Sequence, residues 1–268
     1  MKKISRLWSL SLLLVGLALV LFGCGGGSEE TAEPASGSDS DGGGKEKLVV
    51  GTDATYAPME YMDNNGNIVG IDIDIVEAIA EEVGVEVEFK NIGWEPLFPA
   101  VENGEVDFAV SSITITDERK ETFDFTDPYY VAKQVILVKE GSDIKSFEDL
   151  KDKKVSLQIN TTGHAMMRDI QGNTSSNIIA AETMPLAIEE LLNGNADAAV
   201  GDNSTVNEYI KNNPNVEMEV IEDDSVEQEF YGLMVKKGNT EVVDLLNEGI
   251  QKIKENGKLK EITGFDIE

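Results

Sequence analysis

Four hydroxyls and one guanidinium fall within nine residues, Ser111-Ser112-Ile113-Thr114-Ile115-Thr116-Asp117-Glu118-Arg119. The apolar strand Phe108-Ala109-Val110 runs directly into them. A strand end of this kind offers Ser and Thr hydroxyls and free backbone N–H groups. The planar fork of Arg119 can hold a carboxylate through two parallel charge-assisted bonds. Together these groups suit gripping a small carboxylate without doing chemistry on it. Read locally, the same residues also suit a strand followed by a short, solvated acidic turn.

A second hydroxyl pair stands in Asn160-Thr161-Thr162-Gly163, between the strand Val155 to Gln158 and a helix expected to start near His164. Threonines with exposed N–H groups at a helix N-terminus make a natural anion seat. Ordinary capping by Thr162 accounts for them equally well. His164 is the only histidine and Cys24 the only cysteine, so a zinc site or a His-based triad has nothing to build from. His164 reads as a cleft-edge or surface residue. The many acids contain no calcium loop of EF-hand form. No catalytic residue, metal site or cofactor is expected.

The elements that position these groups alternate. Lys47 to Thr52 reads as a buried strand ending at Asp53, and Met59 to Val69 as a hairpin turning at Asp63-Asn64-Asn65-Gly66. Asp72 can cap a helix with Ile75, Val76, Ile79, Ala80 and Val83 on one face, closed by Gly84. Further expected strands are Val85 to Phe89, Val106 to Val110, Val135 to Val138, Asn177 to Ala181, Ala196 to Val200, Val216 to Ile221 and Tyr231 to Val235. Helices are expected over Trp94 to Asn103, Phe147 to Leu150 (capped by Ser146), Pro185 to Leu192, Ser204 to Lys211 and Glu241 to Glu255. Such alternation argues for an α/β chain with parallel strands.

One pattern recurs. Asn103-Gly104-Glu105-Val106-Asp107-Phe108-Ala109-Val110 and Asn193-Gly194-Asn195-Ala196-Asp197-Ala198-Ala199-Val200 share the form N-G-x-x-D-x-A-V, 90 residues apart. The shared unit is a helix, a glycine stop and a strand, one in each of two sheets. It maps Ser112 onto Asp202. Open α/β sheets bind ligands beyond the carboxyl ends of their strands, so both residues would face a cleft. One jaw then offers Arg119 with hydroxyls and the other a carboxylate, which matches the carboxylate and ammonium of an α-amino acid.

At the N-terminus, Lys2, Lys3 and Arg6 precede an uncharged run from Leu7 to Gly23, about 25 Å long as a helix. This is the pattern of a secretory signal. Leu21-Phe22-Gly23-Cys24 resembles the bacterial lipoprotein cleavage box and implies a lipid carried on Cys24. Gly25 to Gly44 holds no large apolar residue and reads as a flexible tether. The net charge of −29 excludes nucleic acid as a natural partner.

Four segments carry a resemblance over roughly Lys47 to Thr263: Gly51-Thr52-Asp53-Ala54-Thr55-Tyr56-Ala57-Pro58, Gly70-Ile71-Asp72-Ile73-Asp74, Ser111 to Lys120, and Phe125-Thr126-Asp127-Pro128-Tyr129-Tyr130. The chain resembles the solute-binding proteins of polar amino-acid ABC transporters. The resemblance implies an α/β, two-lobed periplasmic-binding-protein fold, each lobe a mixed, mainly parallel sheet flanked by helices, joined by two hinge strands. It implies a signal peptide over 1–23, a tether over 24–46, lobe 1 over 45–130 plus 229–268 and lobe 2 over 131–228. Arg119, Thr114 and Thr162 would hold the ligand α-carboxylate, and Asp202 with Ser112 its ammonium. Tyr56 and Trp94 would sandwich the side chain, with Ser111 and Gln158 completing the set. Asp53 at the pocket head, with Asn91-Ile92-Gly93-Trp94, leans toward arginine, lysine or histidine; glutamine is the alternative, and a dehydratase on the same fold a further one. Asn160 stands where many relatives carry Gly. The implied partners are a membrane permease and the lipid at Cys24, for a monomer outside the cytoplasm.

Overall fold

The computed structural model describes residues 47–267. The expected signal peptide, tether and lipidation site at Cys24 lie outside the described residues. Strand β1 (Lys47–Thr52) is followed by a small antiparallel piece, β2 (Thr55–Tyr56), β3 (Glu60–Met62) and β4 (Ile68–Val69). Its turn is closed by Asp63, whose carboxylate accepts from the N–H groups of Asn65 and Asn67, both at 2.8 Å. Helix α1 (Ile71–Val83) ends at Gly84, left-handed at φ 77°, as the apolar spacing predicts.

Asp72 does not cap α1. Gly70 holds that position at φ 134°, where a Cβ would stand 2.2 Å from the Met59 carbonyl oxygen. Asp72 is instead fully buried in the first turn, and its Oδ2 accepts from Ser112 N–H at 2.8 Å and Tyr129 OH at 2.9 Å. Strand β5 (Glu86–Asn91), helix α2 (Trp94–Asn103) and strand β6 (Phe108–Ala109) follow. The expected solvated turn after them is a helix, α3 (Asp117–Thr122), capped by Thr116, and it leads into β7 (Phe123–Phe125).

Strands β8 (Tyr130–Ala132) and β9 (Gln134–Lys139) open the second half. Ser146 does not cap the short turn at Glu148–Leu150, for Asp149 accepts from the N–H groups of Lys145 and Ser146 and from the Ser146 hydroxyl. Then come β10 (Val155–Gln158), α4 (Thr162–Gln171), β11 (Ile178–Ala181), α5 (Met184–Leu192), β12 (Ala198–Asp202), α6 (Asn203–Asn212) and β13 (Met218–Ile221). The single strand expected over Tyr231 to Val235 is two, β14 (Glu229–Tyr231) and β15 (Met234–Lys236), because the chain leaves one sheet and enters another at Gly232. Helices α7 (Thr240–Glu255) and α8 (Lys258–Thr263) finish the described chain.

Two five-stranded sheets result, ordered β5-β1-β6-β15-β7 and β11-β10-β12-β9-β13. In each, the fourth strand in the order runs against the other four. The recurring sequence unit occupies the same place in both: β6 and β12 are the third strands. Its aspartate has one function twice over. Asp107 Oδ2 accepts from Val49 N–H at 2.7 Å in β1, and Asp197 Oδ2 from Lys154 N–H at 2.8 Å just before β10. Between the sheets, β8 pairs antiparallel with β14.

Helices α1 and α7 pack so closely that a Cβ on Gly249 would lie 2.6 Å from Ile79 Cγ2 and 3.2 Å from the Ile79 carbonyl oxygen. Gly249→Ala gains about 1 kcal/mol in helix propensity but overpacks this seam at a cost of roughly 1–3 kcal/mol. Packing should win. Thermal unfolding of the variant is expected at a lower midpoint than wild type, and an unchanged or higher one would refute the close approach.

Candidate ligand-binding site

The carboxyl ends of β1, β6, β10 and β12 converge, and the side chains just beyond them line one cavity. All ten residues singled out from the sequence meet there: Asp53, Tyr56, Trp94, Ser111, Ser112, Thr114, Arg119, Gln158, Thr162 and Asp202. Glu60 and Thr161 join them.

The first wall is built from β1 and β6. Ser111 Oγ accepts from Asp53 N–H at 3.1 Å and donates to Glu60 Oε1 at 3.0 Å. Ser112 holds a left-handed backbone at φ 49°, stabilised by its N–H bond to Asp72, and its hydroxyl donates to Glu60 Oε2 at 3.3 Å. Arg119 projects from α3, whose Thr116 cap accepts its N–H at 3.1 Å. Its guanidinium donates to the carbonyl oxygens of Thr114 at 2.8 Å and Asn160 at 3.4 Å. It also lies 5.5 Å from the Trp94 and Phe98 ring centroids. Burial pulls Arg119 below the usual guanidinium range, and the charges of Glu229 and Asp202 oppose that.

The second wall belongs to the other sheet. Thr161, not Thr162, caps α4: its hydroxyl accepts from His164 N–H at 3.2 Å and donates to the Gln158 carbonyl at 2.8 Å. The Thr162 hydroxyl is thereby left to the cleft. Asn160 is left-handed at φ 58°, which explains why this position suits Gly and tolerates Asn. His164 is half-buried at the cleft edge, its Nδ1 accepting from Asn160 N–H at 3.0 Å. Asp202 starts α6 without capping it. Its carboxylate accepts instead from Gln134 Nε2 and the Tyr231 hydroxyl.

Polar contacts already cross between the walls. Trp94 Nε1 donates to the Ile159 carbonyl at 2.9 Å, Gln158 Nε2 to Asp53 Oδ2 at 3.2 Å, and Asn160 Nδ2 to Glu95 Oε1 at 2.8 Å. Ser112, expected to assist Asp202, has its hydroxyl on Glu60 instead. The sequence reading missed Glu60, Gln134, Tyr231 and Glu229, and gave Thr161 only as half of a threonine pair. Gln134 carried a signal, since a polar residue opens an otherwise apolar strand and is buried there at 1% exposure; the others carried none.

The arrangement can bind opposite charges at separate points. Among the described residues, Arg119 is the only cation lining the cavity, against the carboxyls of Asp53, Glu60 and Asp202. Burial pushes Asp53 up and Glu60 well up from the ordinary carboxylate range. Among the described residues, no cluster of His, Cys, Asp and Glu could hold a metal ion.

Comparison with known proteins points the same way. Residues 48–264 match the model for bacterial extracellular solute-binding proteins, family 3. The chain is 38% identical over 246 residues to a probable histidine-binding protein of Neisseria gonorrhoeae, covering 91% of this chain and 90% of that one. It is 30% identical over 255 residues to the arginine-binding extracellular protein ArtP of Bacillus subtilis, covering 95% of each. Among solved structures it resembles the arginine-, lysine-, histidine-binding protein ArtJ of Geobacillus stearothermophilus. That match has a TM-score of 0.79 at 45% identity, over 83% of this chain and 97% of ArtJ.

Titration offers a check on the buried carboxyls. Burial, then the Glu229 charge, pushes Asp202 up to about 6, and burial pushes Asp72 up to about 6. Each therefore keeps its proton in the folded protein at a pH where the unfolded chain has released it. Their contribution to stability is present in acid and lost as pH rises from about 4 through 6. Asp202→Asn cannot ionise and should flatten this loss by an amount on the order of 1–3 kcal/mol. Urea unfolding of both proteins from pH 4 to 7 reads the difference; parallel profiles would contradict the assignment.

Proposed function

The chain belongs to the bacterial extracellular solute-binding proteins, family 3, and from that membership and the chemistry of its cavity we propose that it captures a free L-amino acid with a basic side chain and presents it to an ABC importer's permease. The observation that carries this reading is one cavity holding Arg119, Asp202 and Asp53 at three separate points. Arg119, with Thr114 and Thr162, takes the α-carboxylate. Asp202 takes the α-ammonium. Asp53 takes the side-chain cation, while Tyr56 and Trp94 flank it and add about 0.5–2 kcal/mol of cation–π attraction each. Ser111 and Gln158 orient Asp53 through its N–H and its carboxylate. The lobes are 45–130 plus 229–268 and 131–228, with β8 and β14 as hinge strands. The protein acts as a monomer outside the cytoplasm, exported by residues 1–23 and held by lipid on Cys24 through the tether 24–46.

Glutamine is the second reading, because the Asp53 carboxylate already accepts an amide N–H from Gln158 and could accept one from a ligand. A dehydratase reading has less support, since the Asp202 and Glu60 carboxyls are committed to Tyr231, Gln134, Ser111 and Ser112. Labelled L-arginine incubated with the protein should be recovered unchanged; an altered product would make it an enzyme.

Removing Arg119 or Asp202 as Ala strands the opposite charge of the ligand in a closing cleft. The cost is about 3–5 kcal/mol, or roughly two to four decades in Kd. Calorimetric titration with L-arginine checks this, and near-native affinity in either variant would refute the roles. Asp53→Asn should weaken L-arginine and L-lysine far more than L-glutamine. Equal losses would remove the case for a cationic ligand. A thermal-shift screen of the twenty amino acids identifies the ligand directly, because a tight binder raises the midpoint by mass action.

A further inference from the structure

Glu229 lies on the hinge strand β14, opposite Ala132 of β8. Its Oε2 collects donors from both sheets: Thr114 Oγ1 at 2.9 Å, Thr162 Oγ1 at 2.8 Å and Gln134 Nε2 at 3.3 Å. Thr114 follows β6 in the first sheet, whereas Thr162 starts α4 and Gln134 starts β9 against the second. A single carboxylate oxygen thus ties the two walls of the cleft together. The same oxygen's charge is the leading electrostatic support for the Arg119 guanidinium. Arg119 spends its own hydrogen bonds on two backbone carbonyls.

A threonine hydroxyl carries one proton and can donate it to one acceptor. The protons of Thr114 and Thr162 are directed at Glu229. Resting on the ligand reading above, in which those two hydroxyls grip the α-carboxylate, we infer that Glu229 is a tethered competitor for the ligand's carboxylate. It bridges the lobes by taking the two hydroxyl protons, and an incoming amino acid must take them from it. Glu229 therefore sets affinity from the hinge. Interactions present without ligand and lost with it lower affinity, so removing Glu229 should tighten binding and loosen the ligand-free cleft together.

Both effects can be read in the full chain. Trp94 reports closure, since its indole N–H bonds the Ile159 carbonyl across the cleft, and the only other tryptophan, Trp8, is removed with Trp8→Phe. In that background, Glu229→Ala is expected to shift the ligand-free Trp94 emission to the red and to bind L-arginine at least threefold more tightly by calorimetry. Glu229→Gln should move both readouts in the same direction by less. Weaker L-arginine binding would make Glu229 a ligand contact and overturn the inference. So would an affinity within twofold of the parent or an unmoved spectrum. Failure of the parent protein to bind any amino acid would sink the ligand reading instead, and the ligand-free spectrum alone would then decide whether Glu229 bridges the lobes.

Discussion

A carboxylate with no cation beside it governs the cleft. Asp202 is 7% exposed, bonded to an amide and a phenol, and among the described residues it forms no ion pair. Burying such a group is costly, and the protein meets the cost by keeping the proton part of the time, at a pKa of about 6. Tyr231 and Tyr56 are pushed well above the usual phenol range, first by burial and then by the Asp202 charge. A ligand ammonium would remove the frustration that these shifts express. Ligand and protein each supply what the other lacks, which is a reason for two lobes to close.

The two sheets explain how such a site forms with few specialised parts. Each has an equivalent strand order and the same reversed fourth strand, and each ties its third strand to its second through the Asp107 or Asp197 carboxylate. The carboxyl ends of the third strands then carry different chemistry. In the first sheet the chain turns through left-handed Ser112 and gives hydroxyls and Arg119; in the second it gives Asp202 and passes into α6. Two copies of one scaffold, facing each other, place opposite charges on opposite walls.

Local pattern made much of this legible. The bounds of α2, the left-handed stops at Gly84 and Gly104, and the recurring unit all follow from spacing and glycine placement. The resemblance named the ten cavity residues, and the structure brings them together. What stayed hidden depends on contacts distant in sequence. Asp72, Ser146 and Thr162 look like caps in isolation, yet Gly70, Phe147 and Thr161 hold those places. Helix α3 has no buried residue, so no apolar stripe announces it. Strands β14 and β15 read as one because Gly232, where a Cβ would lie 2.8 Å from Ile115, marks a crossing between sheets that periodicity cannot register. Glu60 and Glu229 reach the site from a hairpin and a hinge, positions without any local sign of a cleft.

The carboxyl count overstates the negative charge a ligand would meet. Glu60 and Asp72 are both fully buried, and Asp72 Oδ1 is a buried acceptor with no donor. Burial and the Asp72 charge push Glu60 well above the carboxylate range. Asp72 Oδ2 is already met by Ser112 N–H and Tyr129 OH, and Glu60 by the hydroxyls of Ser111 and Ser112. Of the charged groups lining the cavity, Asp53 and Asp202 are the negative ones left to a ligand and Arg119 the positive one. Arg119, Asp202 and Asp53 then call for a carboxylate, an ammonium and a second cation on one small molecule. A neutral side chain would leave Asp53 dependent on Thr55 and Gln158 alone, and an acidic one would place like charges together in a site where water cannot screen them.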